Sequence, residues 1–161
     1  MTIKKIISGG QTGIDRGTLS ACLDHNFLCG GYCPQGRLAE DGIIPDRYPL
    51  IELPNQNYLS RTIKNIQASD GTVIIYFDYV EGGTEKTLLH CIQESKPYKL
   101  IDATHICSDV SSKLIIEFCD RHQVNILNIA GPRASKCPLS FDYSYQSIAK
   151  VIKTIGVITP N

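Results

Sequence analysis

Short runs of apolar residues alternate along this chain with longer segments in which apolar positions recur every three or four residues. The runs rich in β-branched residues predict strands, and the amphipathic segments predict helices. Strands that are apolar on both faces and are separated by helices are typical of a parallel sheet with helices on both sides. We therefore predict an α/β fold, a three-layer sandwich with a mainly parallel sheet. The predicted strands cover residues 3–8, 72–77, 98–102 and 125–129, with weaker candidates at 27–32 and 50–53, and the predicted helices cover residues 13–25, 58–68, 84–94, 110–123 and 143–155.

The length and composition of the chain fit one domain. It has 161 residues, of which 42% are apolar, and this is enough to bury a substantial core. It contains no internal repeat, no low-complexity tract and no linker rich in proline, glycine and serine. We predict a single ligand-binding domain over residues 1–161.

The charge distribution argues against two classes of partner. Sixteen basic and sixteen acidic residues balance, and the basic residues are scattered along the sequence. The field that gathers a polyanion is therefore missing, and we expect no nucleic-acid partner. No apolar run approaches the roughly 20 residues that span a bilayer, and the first residues lack the features of a signal peptide. We expect a cytoplasmic protein without a membrane partner.

The cysteines form an odd set without a CxxC pair, which favours reduced thiols over a disulfide framework. His25, Cys29 and Cys33 lie close in sequence, but structural zinc sites use tight pairs of ligands from two separate segments. We therefore expect no metal site and interpret most of the thiols as small buried apolar groups. The seven are Cys22, Cys29, Cys33, Cys91, Cys107, Cys119 and Cys137.

The most informative motif follows the first predicted strand and opens the first predicted helix. Gly9, Gly10 and Gly13 let a ligand approach the backbone closely, and the free amides of a helix N-terminus attract negative charge. We predict an anion cradle here, with Gln11 and Thr12 as hydrogen-bond donors. The spacing matches neither the Walker loop nor the GxGxxG fingerprint. In the same turn, Asp15 would repel a phosphate if it pointed inward, so we expect it to cap the turn or to meet a ligand hydroxyl or NH group.

A second glycine pair follows the 72–77 strand. Gly82 and Gly83 open a predicted helix, and the hydroxyls of Thr84 and Thr87 supplement the backbone donors. This pattern predicts a second phosphate cradle, because it repeats the first one at the carboxyl end of another strand. The alternative is an ordinary tight turn in which Thr84 only caps the helix.

The long loop at residues 30–42 carries three charged candidates. Arg37 could form a fork of hydrogen bonds with an oxyanion, while Glu40 and Asp41 could accept hydrogen bonds from a ribose or from a heterocycle. The alternative is a surface ion pair between Arg37 and one of these two carboxylates.

Two further segments supply candidates near the same end of the sheet. After the 125–129 strand, Gly131, Arg133 and Ser135 could direct a guanidinium and a hydroxyl at the ligand, unless the segment is a plain loop before the last helix. On the 58–68 helix, residues 61, 62 and 65 share one face by their spacing. This face could meet the ligand or solvent, and we favour solvent. It carries Arg61, Thr62 and Asn65.

No catalytic residue is evident from the sequence. Ser8 and Cys33 lie in turns, but no histidine has a sequence context that would make it their base. We interpret the histidines as structural and predict no triad. They are His25, His90, His105 and His122.

The motifs together resemble the putative molybdenum carrier family over nearly the whole chain. They are SGGQTGIDRG at residues 8–17, GYCPQGR at 31–37 followed by EDG at 40–42, GGT at 82–84 with Thr87, and GPR at 131–133 with Ser135. The resemblance implies a Rossmann-like sheet with its ligand at the strand carboxyl ends and a homo-oligomer, a dimer or a tetramer. It also implies binding of the molybdenum cofactor (molybdopterin) or of a nucleotide-like molecule.

The function that the resemblance favours is a non-catalytic carrier that stores, protects or transfers the molybdenum cofactor, with a molybdoenzyme as a recipient. The glycine loops would hold the phosphate, and Asp15, Glu40 or Asp41 would meet the pterin edge. Replacing Gly10 or Gly83 with a bulky residue should then abolish binding and leave the fold largely intact.

The family is similar to lysine-decarboxylase-like phosphoribohydrolases, so the alternatives are a nucleoside-monophosphate phosphoribohydrolase and a nucleotide sensor. The hydrolase motif, PGGxGTxxE, requires a glutamate where this chain has Thr87, and a threonine is no acid or base near neutral pH. Glu81 and Glu85 lie nearby and keep the hydrolase alternative open.

Overall fold

Helices and strands alternate along the chain as the hydrophobic pattern predicts. The computed structural model describes the backbone of residues 3–158 and the side chains of residues 3–156. In chain order, the elements are β1 (Lys5–Ile7), α1 (Ile14–Asp24), β2 (Cys29–Gly30), β3 (Tyr32–Cys33), β4 (Leu38–Ala39), β5 (Gly42–Ile43), β6 (Ile51–Glu52), α2 (Tyr58–Gln67), β7 (Gly71–Tyr76), α3 (Gly82–Gln93), β8 (Tyr98–Asp102), α4 (Ser108–His122), β9 (Ile126–Ala130) and α5 (Ser140–Ile158).

Five parallel strands form the central sheet in the order β2-β1-β9-β7-β8. The first and last strands of the chain are therefore neighbours, and Ile6 of β1 lies opposite Leu127 of β9. This arrangement brings the carboxyl ends of β1, β9 and β7 side by side. The loops that follow these three strands meet at one edge of the sheet.

The helices cover both faces of the sheet and make three layers. On β7, Val73 and Ile75 belong to the large core formed with α1, α4 and α5, whereas Ile74 packs with Ile66 of α2 and Cys91 of α3. Consecutive strand residues point to opposite faces, so a strand buried on both sides must be apolar at every position. All five of these side chains are fully buried. The predicted α/β sandwich is confirmed.

The predicted elements are present, with shifts at some ends. The last helix begins three residues earlier than predicted, at Ser140, and α3 begins at Gly82, two residues early. The predicted 27–32 strand is divided into β2 and β3 by Gly31, whose φ of +133° interrupts the extended backbone. The β4–β5 hairpin in the 30–42 loop was not predicted, because two-residue strands leave too few positions for a periodic pattern.

Among the residues that the structure describes, no helix is long and apolar enough to cross a membrane. The seven cysteines, all among the described residues, form no disulfide bond, and five of them are buried.

Candidate functional site

A cavity of about 780 Å³ lies at the carboxyl ends of β1, β7 and β9, between the N-terminal turns of α2 and α3. Its volume falls within the roughly 300–1,000 Å³ that is usual for small-molecule sites, and its position is the usual one in a parallel α/β sheet. Nine of the predicted site residues line it: Gly9, Gln11, Asp15, Gly82, Gly83, Thr84, Thr87, Gly131 and Arg133.

The turn before α3 faces the cavity with free donors. Glu81 precedes the helix in an extended conformation and makes no side-chain cap, while the amides of Thr84 and Glu85 donate to its carbonyl oxygen. Among the described residues, the amides of Gly82 and Gly83 make no hydrogen bond. A Cβ on Gly83 would meet no atom within 4 Å. This helix end therefore presents unpaired N–H groups and the positive end of its dipole to an open space.

Three positive side chains line the cavity near this turn, together with the carboxylates of Asp78 and Glu81. The Nζ atom of Lys136 lies 3.7 Å from the position that a Cβ on Gly82 would take, and Lys86 and Arg133 also line the cavity. The Thr84 side chain is 9% exposed and lines the cavity beside them. Thr87 is less available, because its hydroxyl donates to the carbonyl of Gly83 at 3.0 Å. The turn and its cations form a site that is suited to an oxyanion.

The turn before α1 has the same kind of sequence, but protein groups occupy most of its donors. The amide of Gln11 donates to Asp15 Oδ2 at 3.1 Å, and the amide of Thr12 donates to the Gln11 side-chain oxygen at 3.0 Å. The amide of Ile14 donates to the carbonyl of Pro132 at 3.2 Å. The helix N-terminus that was predicted to cradle an anion is therefore filled largely by the chain itself.

The glycines of this first turn serve close packing. Gly13 has a φ of +82°, and a Cβ there would lie 2.5 Å from the Pro132 carbonyl oxygen. Gly10 has a φ of +78°, and a Cβ there would lie 2.3 Å from the side chain of Leu50. The positive φ strains any side chain at Gly10, and a bulky one also displaces the end of Leu50, so we expect such a substitution to disturb the fold, which differs from the expectation based on sequence. A bulky residue at Gly83 should leave the fold largely intact, as expected from the sequence, because the space there is open.

The floor of the cavity holds a buried carboxylate beside a buried guanidinium. Asp15 is 7% exposed and Arg61 is 9% exposed, and Arg61 Nη1 lies 3.9 Å from Asp15 Oδ2. Burial raises the pKa of Asp15, although Arg61, the Gln11 amide, Ser8 and Arg16 act in the opposite direction. Since Asp15 accepts from the Gln11 amide, it caps the turn, as expected from the sequence.

Arg61 is the main residue that the sequence interpretation placed wrongly. Its face of α2 was expected to meet solvent, but Arg61 is buried, lines the cavity and donates from Nη1 to the Gly9 carbonyl at 3.0 Å. Gly9 makes this possible, because a Cβ there would lie 2.4 Å from Arg61 Cδ. Thr62 lines the cavity as well, and Asn65 is 2% exposed and bonds to the backbone of Tyr32. The missed signal was an arginine and a threonine in the first two turns of a helix that follows a long loop, with an asparagine on the same face one turn later.

Glu40 joins three loops at the rim of the cavity, just outside its lining, and of the described residues in contact with its carboxylate only Arg133 lines the cavity itself. Its carboxylate accepts hydrogen bonds from the hydroxyl of Thr12 and from the amide and hydroxyl of Ser135. Arg133 Nε lies 3.3 Å from Glu40 Oε2, as an ion pair without an aligned hydrogen bond. Burial opposes the charge of Glu40, but the bonds from Ser135 and Thr12 and the charge of Arg133 outweigh it and hold the pKa below its ordinary value. The carboxylate expected to meet a ligand is thus engaged by the protein.

Arg37 and Asp41 have structural partners and do not line the cavity. Arg37 donates to the carbonyls of Ile44, Pro45 and Tyr48 at 2.8–3.0 Å, so its guanidinium holds its own loop instead of an oxyanion. The alternative pairing of Arg37 with Glu40 or Asp41 is not seen either. Asp41 accepts a two-pronged pair of bonds from Arg16, which also donates to the carbonyl of Gly10. Gly10, Thr12, Gly13, Glu40 and Ser135 likewise lie outside the cavity lining.

Several lining residues were not sequence candidates. Tyr79 is 68% exposed and offers an aromatic face, and Lys136 adds a charge beside α3. None of the four histidines is among the described residues that line the cavity. The lining residues beyond those already named include Asn57, Tyr58, Leu59, Tyr76, Phe77 and Cys137.

Comparison with known proteins places this chain in a family. A crystal structure of a protein from Syntrophus aciditrophicus SB, described as a putative molybdenum carrier protein, has 41% sequence identity and a TM-score of 0.89. The match covers 94% of this chain and 95% of that one, and it confirms the resemblance inferred from the four motifs. No curated protein matches the chain significantly. The model of the circularly permutated YpsA SLOG family matches residues 6–152, and the chain therefore belongs to that family.

Proposed function

We propose that this protein is a binding and carrier protein for a phosphate-bearing heterocyclic ligand, most specifically the molybdenum cofactor. The phosphate binds at the turn before α3, and the heterocycle lies over the floor formed by Asp15 and Arg61. The protein stores or protects the ligand and transfers it to a molybdoenzyme. Its assembly as a homo-oligomer remains a prediction.

The observation that carries this proposal is the open N-terminus of α3. Two glycine amides without acceptors among the described residues, an open space at Gly83 and the ammonium group of Lys136 face the same cavity. Water satisfies the amides of an exposed helix N-terminus without a side-chain cap, and an anionic ligand can replace this water and meet the donors and the dipole together.

The rest of the cavity suits a planar ring system. Tyr79 and Tyr76 supply aromatic surface near the phosphate turn, while Asp15 and Arg61 supply polar groups on the floor. Planar heterocycles stack on aromatic side chains and are oriented by a few polar contacts. A structural neighbour described as a putative molybdenum carrier protein supports the choice of the molybdenum cofactor within this class.

The test is anaerobic native mass spectrometry of the purified protein with the molybdenum cofactor, and in parallel with AMP and GMP. The variant Gly83→Val fills the open space at the turn, where no atom lies within 4 Å. Gly156→Val is a matched control, because Gly156 is also helical and also has open space around it but lies outside the cavity. We expect a stoichiometric adduct with the parent protein and with Gly156→Val, and roughly a tenfold or larger loss of affinity for Gly83→Val.

An equal affinity of the two valine variants would remove the α3 turn from the site. Absence of any adduct with all three compounds would contradict the proposed function itself.

A second candidate function rests on Asp15. A buried carboxyl group with a raised pKa in a ligand cavity is the kind of group that enzymes use as a general acid, and Glu81 also lines the cavity. This favours the phosphoribohydrolase alternative, in which the base would be released from a nucleoside monophosphate. Thr87 stands where the related hydrolases have a glutamate. Release of free base from the AMP or GMP samples would support hydrolysis, and intact bound nucleotide would support the carrier.

A further inference from the structure

We infer that Asp15, Gln11 and Arg61 form a reader for a 2-amino-4-oxopyrimidine edge, the ring edge that pterins and guanine share. This inference rests on the proposed function, since it concerns the heterocycle of the same ligand. It names the side chains that set the specificity of the cavity, and it predicts which heterocycles the protein rejects.

The orientation of the Gln11 amide is fixed by the backbone. Its Oε1 atom accepts from the amides of Thr12 and Glu40, each at 3.0 Å. A side-chain oxygen held by two N–H donors leaves the NH₂ group on the other side. Gln11 is 6% exposed and lines the cavity. Among the described residues, its Nε2 atom has no acceptor, so it is a donor available to a ligand.

Asp15 supplies hydrogen-bond acceptors, whereas Gln11 supplies a donor. One carboxylate oxygen accepts from the Gln11 amide, and the ion pair with Arg61 spans 3.9 Å, which is too long for a hydrogen bond. The neighbouring Ser8 hydroxyl donates to the carbonyl of Ile129 at 2.7 Å, and it also lies near enough to Asp15 to help lower the pKa of that carboxyl group. A carboxylate has about four acceptor positions, so Asp15 keeps unused acceptors on a cavity wall.

Arg61 adds a second donor beside this carboxylate. Only its Nη1 atom has a hydrogen-bond acceptor among the described residues, the carbonyl of Gly9. Since the guanidinium carries five N–H groups, donors remain for a ligand carbonyl. The floor thus combines acceptors on Asp15 with donors on Gln11 and Arg61.

This combination matches one class of ring edge. A 2-amino-4-oxopyrimidine presents an amino donor, a ring N–H donor and a carbonyl acceptor in sequence. The two donors meet the Asp15 carboxylate, and the carbonyl meets the amide or guanidinium donors. Adenine presents a bare ring nitrogen where this class has N–H, so it would face the carboxylate with an acceptor. A site built on hydrogen bonds rejects a ligand that leaves its buried polar groups unpaired.

The test compares GMP, AMP and a pterin monophosphate by isothermal titration calorimetry. The three share a phosphate, so the α3 turn contributes similarly to each, and the difference reports on the heterocycle. We expect GMP and the pterin to bind at least about tenfold more tightly than AMP. The ratio between GMP and the pterin then shows which of the two sources of this ring edge the cavity prefers.

The variant Asp15→Asn should remove the preference, because the amide supplies a donor where the ligand needs a second acceptor. It can still accept from the Gln11 amide, which protects the turn. Asp142→Asn is the matched control, since Asp142 is also an acidic residue in the first turn of a helix but is exposed and outside the cavity. It should keep the full preference for GMP over AMP.

A measurement on the parent protein supplies an independent readout. Donation from the ligand favours the ionised form of Asp15, whose pKa is raised by burial in the free protein and is opposed by the charges of Arg61 from α2 and Arg16 from α1. The affinity for GMP should therefore fall as the pH drops below this raised pKa, by up to about tenfold per unit. The affinity for AMP provides the correction for titration of the shared phosphate.

Equal affinity of the parent protein for GMP and AMP would overturn the proposed recognition of this ring edge. A preference for GMP over AMP that survives in Asp15→Asn would overturn it as well. If Gly83→Val still abolished binding in either case, the proposed function would stand without it. Absence of binding by all three compounds would instead contradict the proposed function.

Discussion

The turn before α1 and the turn before α3 share a sequence pattern, a glycine pair between a buried strand and a helix, but they have opposite surroundings. In the first turn, the amides of Gln11, Thr12 and Ile14 donate to protein acceptors. In the second, the amides of Gly82 and Gly83 have no acceptor among the described residues. A glycine-rich turn therefore makes donors accessible, and distant parts of the chain decide whether a ligand finds them free.

The glycines differ in the same way. Gly13 has little room for a side chain, because a Cβ would lie 2.5 Å from a carbonyl oxygen and 2.5 Å from the hydroxyl of Ser140. Gly83 has open space. In the first turn the missing side chain permits packing, and in the second it permits access.

The substitution Gly13→Ala should give the largest effect on stability. A positive φ costs a non-glycine residue about 1–2 kcal/mol, and overpacking against backbone costs about 1–3 kcal/mol. We expect the free energy of unfolding to fall by about 2–5 kcal/mol in urea denaturation. A loss below that of an ordinary surface substitution would mean that the first turn is as open as the second.

Asp41→Asn should have the next largest effect, because it weakens the contact that anchors the first turn through Arg16. Arg16 is 8% exposed, and leaving a buried donor without its partner costs about 1–3 kcal/mol. Hydrogen bonds from Arg16 and its charge hold the pKa of Asp41 below its ordinary value of 3.8. A lowered pKa stabilises the fold above that ordinary value, and this contribution disappears as the pH falls toward the folded-state pKa.

The difference in unfolding free energy between the parent and Asp41→Asn should therefore be present at about pH 7 and shrink at about pH 3. Urea denaturation at both values measures it. A difference that stayed constant with pH would show that the carboxylate charge plays no part in anchoring the turn.

Gly83→Ala should have the smallest effect and the opposite sign. Alanine is favoured over glycine in helices by up to about 1 kcal/mol, and nothing lies within 4 Å to oppose the new methyl group. We expect a slightly higher melting temperature together with weaker ligand binding. Gly156→Ala, which shares the helical setting, should raise the melting temperature without affecting binding. A destabilised Gly83→Ala would show that the second turn is packed after all.

The central fold was predictable from sequence because its signals are local. The apolar residues of β7 and β9 must be buried on both faces, and the helices carry their apolar positions at helical spacing. The β4–β5 hairpin was missed because its strands are held by the surrounding loop and by contacts such as that of Arg37, not by a hydrophobic pattern of their own.

The candidate site was predictable in its residue types but not in its pairings. The sequence identified Glu40 and Asp41 as acceptors, but their partners Thr12 and Arg16 are 28 and 25 positions away, and only the fold brings them together. Arg61 was placed in solvent because helical spacing shows which residues share a face and not what that face meets. The turn at Gly82 and Gly83 lines the cavity, since its position after a parallel strand determines its location, while its role as a phosphate cradle stays a prediction.

The carboxylate of Glu40 couples the effects of substitutions at the rim of the cavity. Thr12, Arg133 and Ser135 come from two different loops, yet all contact this one group from a third. Removing any of them alters what the others can contact, so their contributions are coupled and will not add in a double-mutant cycle. The rim of the cavity behaves as a single cooperative unit, although its parts are separated by most of the length of the chain.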